Sequence, residues 1–482
     1  MLPPPMRRTA GPAILFFLCC LSVNGLDLAV DASDELWPCW ERLASAFPLP
    51  PGIRAVRAVP GVSTNAGQVI LGIGPAPGRK PVERCVLAPV SRMWGSRGSV
   101  SLAEARSAEV RLAPLESIVL PDVALAVDGL FPDQPGYPLV DDLGVSVRSA
   151  DRSILAWFDA LPTALSRGAS EPATIAWIGA VGDVMPARGV DAALLASGGL
   201  SRVFGDTLPL LRGCDFLLGN LEAAATSAGT RIAKTYAFRF NPAALGRLRE
   251  AGFSYFSIAN NHTFDFGEKG FLDTRENLAR WGLGASGAGR NEAEAALPFA
   301  VTIKGADVRV LSLADYPVDR TGFDGRKTAR AALDSPGTLW LDDAGLSAVS
   351  RASSSGSFTI VMVHGGVEWD DLPAPGQKNR YRQLVDAGAD LVIGSHPHVL
   401  QGMEARGGNL IAYSLGNFLF PGMEGTKGGT SSLLLRVGVF QGRIRYVTPI
   451  PVRLAGVEVR RAEGSSPARG FLDATRVLGA GR

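Results

Sequence analysis

The chain has four histidines, and each one closes an apolar run: His262 in ANNHTFDFG, His364 in VMVHGG, and His396 with His398 in LVIGSHPHV. Imidazole suits both borderline divalent metals and proton transfer near neutral pH, so a sequence that spends every copy this way points to chemistry. A single histidine at a strand end is ordinarily a hydrogen-bonded structural side chain. The pair around Pro397 resists that reading, because proline is excluded from a helix interior and a short turn holds the two rings near each other. Other runs close with Asp183 in VGDVMPARG, Asn220 and Glu222 in GNLEA, and Asn261 beside His262. A carboxylate to bridge two cations, imidazoles to cap them and neutral oxygens to adjust the charge make up a metal-ligand set. Each member keeps a plainer alternative: Asp183 and Glu222 as helix caps, Asn261 as a turn former.

Such a set needs a scaffold that brings distant segments together. The runs TIAWIGAVGD, CDFLLGNLE, YFSIANNH, VRVLSLAD, FTIVMVHGG, DLVIGSHPH and NLIAYSLGNF alternate with helix-like segments such as NPAALGRLREAG and GFLDTRENLARWG. Gly252 and Gly282 fall where helix ends favour a left-handed residue. Runs rich in Ile, Val and Leu without strict alternation predict strands buried on both faces, hence an α/β sheet covered by helices. In such sheets chemistry gathers beyond the carboxyl ends of the strands.

With 482 residues, 46% of them hydrophobic and 20% charged, the chain is globular and about two domains long. A net charge of +2 without a basic stripe excludes nucleic acid as a partner. Residues 1–26 carry Arg7 and Arg8 ahead of the apolar stretch Ala13 to Val23, which predicts a signal peptide or an N-terminal anchor and therefore an exported protein. Residues 27–165, rich in proline and glycine and free of histidine, are expected to form a separate, smaller α/β domain, with 166–173 as a linker. The site-bearing domain is expected over 174–460, followed by a tail over 461–482. Export permits disulfides, so Cys39 and Cys85 are candidates for a bridge, with Cys214 left as a small apolar residue.

GDVM, GNLE, KTYAFRFNP, ANNHTFDFGEKG, VHGGVEW, GADLVIGSHPHVLQG and YSLGNFLF, in this order from Ile175 to about Leu454, resemble the successive motifs of the CapA family. These are the poly-γ-glutamate capsule-biosynthesis proteins, within the calcineurin-like metallophosphatase superfamily. The resemblance implies a metallophosphatase-like αββα sandwich and one or two divalent metal ions, with manganese, iron and zinc not distinguished. It implies Asn261, His364 and His396 on one metal, and His398 with Asp183 and a bridging Glu222 on the other. His262 would face the leaving group, with Asp265 orienting its ring. Two positions depart from the pattern: Met185 stands where the superfamily commonly has a histidine ligand, and Gly365 where a tryptophan usually follows the histidine.

Lys234, Tyr236 and Arg239 in KTYAFRF are read as alternating along an extended segment and facing substrate together, with Arg239 as an anion clamp; a solvated edge strand is the alternative. Glu368 is a further candidate beside His364, and Asn417 is expected to hold a loop. The implied function is a metal-dependent, phosphoesterase-type hydrolase of the cell envelope, at the periplasm or outer membrane face. Its substrate would be an anionic polymer or a phosphorylated envelope compound, and its partners membrane-bound capsule synthesis or export proteins. The alternative is a non-catalytic component that binds or tethers an anionic polymer during export. Within the N-terminal region, DGLFPDQPGYPLVDDLGVSV is weakly similar to late segments of phosphate-type solute-binding proteins.

Overall fold

A computed structural model of the chain describes residues 26–32, 36–51, 53–58, 68–73, 80–93, 99–107, 111–135, 137–149, 151–161, 174–319, 322–462, 471, 474, 475 and 478. The expected signal segment and linker, and the side chains of Cys39 and Cys85, lie outside the described residues. Among the described residues no helix is long and apolar enough to cross a membrane.

Two compact units form, one from residues 1–84 and 142–168, the other from 85–141 and 169–482. The division therefore cuts across the linear boundary expected from composition, since the stretch 85–141 packs with the histidine-bearing half. In the first unit, strand Leu26–Asp31 pairs in parallel with Ile53–Arg57 and Gln68–Ile73, and Gln68–Ile73 pairs antiparallel with Val140–Arg148. Its last helix, Arg152–Ala160, starts where the Asp151 carboxylate accepts the amides of Ser153 and Ile154. Trp157 of this helix meets Trp40 of helix Trp37–Ala46 edge-on at 6.4 Å.

The second unit is built on two sheets. The first runs Phe253–Ser257, Phe216–Leu221, Ala176–Val184, Ser431–Phe440, Arg443–Ala455, Glu458–Arg461, with its first three strands parallel. The second runs Phe299–Ile303, Ala306–Asp315, Phe358–Gly365, Leu391–Ser395, Asn409–Leu415, Leu400–Arg406, parallel through its middle. Ala176–Val184 and Phe358–Gly365 are buried at every position, as strands covered on both faces must be. Alternate side chains separate the layers: Ile178, Ala180, Ile360 and Met362 enter one cluster shared by both sheets. Val181 packs with Leu245, Leu248, Phe271 and Leu278 of helices Ala244–Ala251 and Gly267–Arg280. Val361 and Val363 pack with Val349, Tyr381 and Leu384 of helices Asp343–Ser353 and Pro375–Asp386. The layers thus run helix, sheet, sheet, helix. Each large aliphatic or aromatic side chain fully buried here contributes roughly 1.5–3 kcal/mol. Gly252 ends its helix at φ 115°, and Gly282 follows the other at φ 66°, in the left-handed region expected of both.

Residues 85–141 complete the outside of the first sheet. Ala88, Leu115, Ile118 and Ala124 share a cluster with Ile175, Trp177 and Tyr446, and the buried Arg445 guanidinium donates to the Ile118 carbonyl. Composition alone hides this, because a proline-rich strap and a separate small domain look the same in sequence.

Candidate metal centre

Both sheets deliver their polar side chains from the carboxyl ends of parallel strands. Asp183 sits at the end of Ala176–Val184, Glu222 just past Phe216–Leu221, and Asn260 to His262 beyond Phe253–Ser257. From the second sheet come His364, near the end of Phe358–Gly365, and His396, directly after Leu391–Ser395. Register aligns Asp183 with Asn220 and Asn220 with Ser257 in the first sheet, and His364 with Ser395 in the second. Gly182 permits one close approach: a Cβ there would lie 1.8 Å from the Gly416 carbonyl oxygen, which instead accepts the Asp183 amide at 3.0 Å. Asn417–Leu419 can therefore run beside Asp183. His396 and His398 flank Pro397 at φ 98° and 59°, a strained backbone that turns both rings inward with centroids 6.0 Å apart.

The side chains converge. Glu222 Oε1 stands 3.8 Å from His364 Nε2, 3.8 Å from His398 Nε2 and 3.9 Å from His262 Nε2. Asp183 Oδ2 lies 3.2 Å from His398 Nδ1, and Asp183 Oδ1 accepts the Asn220 amide at 2.8 Å. The other Asn220 N–H lies 3.1 Å from His364 Nδ1, and His364 Nε2 lies 3.0 Å from Asn261 Oδ1. Asn260 fixes Asn220 in turn, donating to its Oδ1 at 3.0 Å while accepting the His262 amide at 3.0 Å. His398 Nδ1 faces Asn417 Oδ1 at 2.9 Å, which leaves Nε2 with a free lone pair.

Against this network, both Glu222 oxygens and both His396 ring nitrogens are buried with no hydrogen-bond partner among the described residues. Buried polar atoms are nearly always paired, so four such atoms in one cluster point to a group beyond the described residues. A divalent cation fits: donors each about 2.1 Å from one ion stand about 3–4 Å from one another, the spacing found around Glu222 Oε1. Among the described residues two groups of three come near this spacing, Asp183 with Glu222 and His364, and Glu368 with His396 and His398, the ligand atoms within each group lying within 4.8 Å of one another.

The electrostatics carry the same message. Burial, and then the nearby Asp183 carboxylate, hold the Glu222 carboxyl well above its usual range. Burial and the neighbouring His396 hold His364 well below the usual imidazole range, and burial and His398 push His396 down to about 3. Burial also pulls on His398, but its contact with Asp183 outweighs that and raises it. Neutral imidazoles beside a carboxylate short of positive charge are groups that could bind a divalent cation.

A second cluster adjoins the first. His262 Nδ1 donates to Asp265 Oδ2 at 2.7 Å, leaving Nε2 directed toward Glu222. Asp265 also accepts the Phe238 amide at 2.7 Å and Lys234 Nζ at 3.0 Å. Lys234 Nζ donates as well to the Asn261 carbonyl at 2.6 Å and lies 4.7 Å from the centre of the Phe323 ring. Burial lowers the His262 pKa despite Asp265, and the Phe238 ring covers the imidazole with centroids 4.6 Å apart.

The structure thus brings Asp183, Glu222, Asn261, His262, Asp265, His364, His396 and His398 to one point. KTYAFRF behaves differently from the sequence expectation. Lys234 is buried in the Asp265 pair, whereas Tyr236 is exposed and Arg239 lays its guanidinium over Phe266, 4.7 Å from the ring centre. Alternation joins positions 234 and 236 but excludes 239, so the three do not face one way. Glu368 belongs to the site itself, in the outer group of possible ligands. Met185 is fully buried in the apolar cluster outside the first sheet, and a side chain at Gly365 would strike Asp315. Cys214 is a packed, apolar-like thiol, its pKa pushed by burial up to about 11.

Sequence reasoning missed Asn260, although the Asn-Asn doublet before His262 was a usable signal. It also missed the pocket at the site, lined by Asn261, Glu368 and His396 together with Tyr316, Val318, Phe323 and Val367. Apolar loop residues carry no chemical signature in sequence.

Fold and site define an α/β protein of two packed sheets with a carboxylate–imidazole centre of metal-binding type at the strand ends. Residues 177–422 match the family described as bacterial capsule synthesis protein PGA_cap. The chain belongs to that family. It is 32% identical over 243 residues to the PGA biosynthesis protein CapA of Bacillus subtilis, covering 50% of this chain and 62% of that protein. It is 29% identical over 307 residues to the capsule biosynthesis protein CapA of Bacillus anthracis, covering 62% of this chain and 70% of that protein. A probable polyglutamine synthesis accessory protein of Mycobacterium tuberculosis is 29% identical over 278 residues, 54% of this chain and 72% of that one.

Proposed function

We propose that this protein is a metal-dependent hydrolase of the phosphoesterase type, with a metallophosphatase-like catalytic fold, serving poly-γ-glutamate capsule biosynthesis in the cell envelope. One observation carries the reading: the buried Glu222 oxygens make no geometric hydrogen bond among the described residues, yet three imidazole Nε2 atoms surround Oε1 at 3.8–3.9 Å. The capsule role is supported by the family and by the names of its Bacillus relatives. An envelope location is supported by Arg7, Arg8 and the apolar stretch after them.

Asp183, Glu222, Asn261, His364, His396 and His398 would hold the metal. When bound, a divalent cation supplies positive charge against anionic oxygens and makes water more acidic. The remaining work belongs to the chain. His262 exchanges a proton with the reacting group at Nε2, since Asp265 fixes the proton on Nδ1. Lys234 balances the Asp265 charge, and the Phe238 ring excludes water from one imidazole face. Tyr316, Val318, Phe323 and Val367 shield the pocket side.

The test is hydrolysis of bis(p-nitrophenyl) phosphate and of γ-glutamyl amides by the protein loaded with Mn2+, beside its His262→Ala variant. Turnover lost in the variant at unchanged metal content supports the assignment. Full metal content without turnover on either substrate class would favour the tethering role instead.

A further inference from the structure

Arg188 stands on the loop that carries the chain away from Asp183, in VGDVMPARG, and is not among the candidate ligands. Its backbone is held at φ 52°, the left-handed region that a residue with a Cβ seldom occupies, and Gly189 follows at φ 87°. From that turn the exposed side chain lays its guanidinium over the Phe238 ring, 4.7 Å from the centre, while Nη1 donates to the Pro421 carbonyl at 2.9 Å. Gly422 leaves room for this, since a Cβ there would come within 2.9 Å of Nη1.

Both supports of the guanidinium also touch the site. Phe238 packs on His262 with centroids 4.6 Å apart, and Phe420, next to Pro421, meets His398 edge-on at 5.2 Å. Phe238 and Phe420 meet each other at 6.1 Å, so one aromatic seat carries Arg188 on its rim and the two imidazoles beside it. Charge separates this arginine from the other cations near the strand ends. Lys234, Arg326 and Arg380 each have a carboxylate, Asp265 at 3.0 Å, Asp342 at 3.0 Å and Asp315 at 2.8 Å. Among the described residues no carboxylate pairs with Arg188, whose polar partner is the Pro421 carbonyl. An arginine that only covered Phe238 would need neither a left-handed turn nor a carbonyl anchor. Together they hold a planar fork in one place and leave its remaining N–H groups without an acceptor among the described residues, the arrangement that suits a pair of anionic oxygens.

We propose that Arg188 is a substrate-binding residue of this site, its guanidinium receiving an anionic oxygen pair of the substrate beside the group on which His262 acts. It fills the place expected of Arg239 from sequence, whose guanidinium lies over Phe266 instead. The oxygen pair can come from a phosphoester or from the side-chain carboxylates of a γ-glutamyl polymer. In this role Arg188 names the substrate class of the hydrolase proposed above, and the assignment rests on that site being where substrate binds.

The full-length protein loaded with Mn2+ is compared with its Arg188→Ala, Arg188→Lys and Arg239→Ala variants, with folding followed by circular dichroism and metal content by elemental analysis. Binding of inorganic phosphate and of poly-γ-glutamate is measured by calorimetric titration, and KM and kcat on bis(p-nitrophenyl) phosphate by steady-state kinetics. Arg188→Ala should weaken at least one of the two ligands by about 10-fold or more at unchanged metal content. Loss on phosphate, with KM raised to match and kcat within about threefold, marks a phosphoester as the oxygen source. Loss confined to poly-γ-glutamate marks the polymer carboxylates. Arg188→Lys should recover only part of the affinity, because an ammonium keeps the charge without the paired donors. Unchanged affinities in Arg188→Ala, or an equal loss in Arg239→Ala, would overturn the assignment while leaving the hydrolase reading in place. Binding that depends on Arg188 in a protein without turnover would do the reverse. A folded, metal-loaded wild type that binds neither ligand and turns over no substrate would end both.

Discussion

Glu222 and Asp265 are both fully buried carboxylates at the ends of the first sheet's strands, and their surroundings are opposites. Asp265 has Lys234 Nζ at 3.0 Å, the Phe238 amide at 2.7 Å and His262 Nδ1 at 2.7 Å. Among the described residues Glu222 has no hydrogen-bond partner on either oxygen, and its nearest imidazole nitrogens stand 3.8 Å away. The first carboxylate is satisfied by the chain and works by holding another residue still. The second has no such partners among the described residues, and protonation or a bound cation makes its burial tolerable.

The contrast breaks most visibly at Glu222. Glu222→Gln or Asp183→Asn should remove bound Mn2+, measured by elemental analysis, and lower phosphodiester hydrolysis by at least about 10³-fold. A variant that keeps its metal would mean that the bare carboxylate has another purpose. On the satisfied side, His262→Ala should cost about 10²–10⁴-fold in turnover with metal content unchanged. Lys234→Met removes the partner of a fully buried charge and should destabilise the fold by about 3–5 kcal/mol in urea unfolding. Loss of stability below about 1 kcal/mol would show that Asp265 does not depend on the ammonium group.

Acidity sharpens the comparison further. The Glu222 pKa is raised in the folded protein, so its contribution to stability is present at low pH and is lost as pH rises through the folded value. His262, His364 and His396 are lowered, so they favour the fold above about pH 6.5 and cease to do so as pH falls below that value. Metal-free protein should therefore weaken on both sides. The rise in Tm produced by Mn2+ should be larger at pH 8 than at pH 6, because the cation relieves Glu222 and competes with protons for the ligands. A pH-independent rise in calorimetry would contradict the arrangement. The smallest effect is expected at Arg239, where Arg239→Ala should change stability by under about 1 kcal/mol and turnover by less than about twofold.

Much of this was legible from residue order. The strand runs end in Asp, Glu, Asn or His because a sheet covered on both faces leaves polar side chains only at its ends, so Asp183, Glu222, His364 and His396 announce themselves. Pro397 marked the turn that carries the imidazole pair. What escaped was three-dimensional: that Lys234 turns inward to Asp265 while Arg239 turns to Phe266, and that Glu368 meets His396 and His398 across a crossover. The packing of residues 85–141 was hidden for the same reason, since Ile118 meets Arg445 only through a contact that spans most of the chain.

That last contact sets a schedule for biosynthesis. Ile118 and Arg445 are 327 residues apart, so at roughly 5–20 residues per second the ribosome makes the partner of this strap about 15–65 s after the strap itself. Throughout that interval Ala88, Leu115, Ile118 and Ala124 have Ile175 and, from the first sheet, Trp177 as neighbours, without Tyr446. The apolar flank of the strap therefore gains its Tyr446 neighbour late in synthesis.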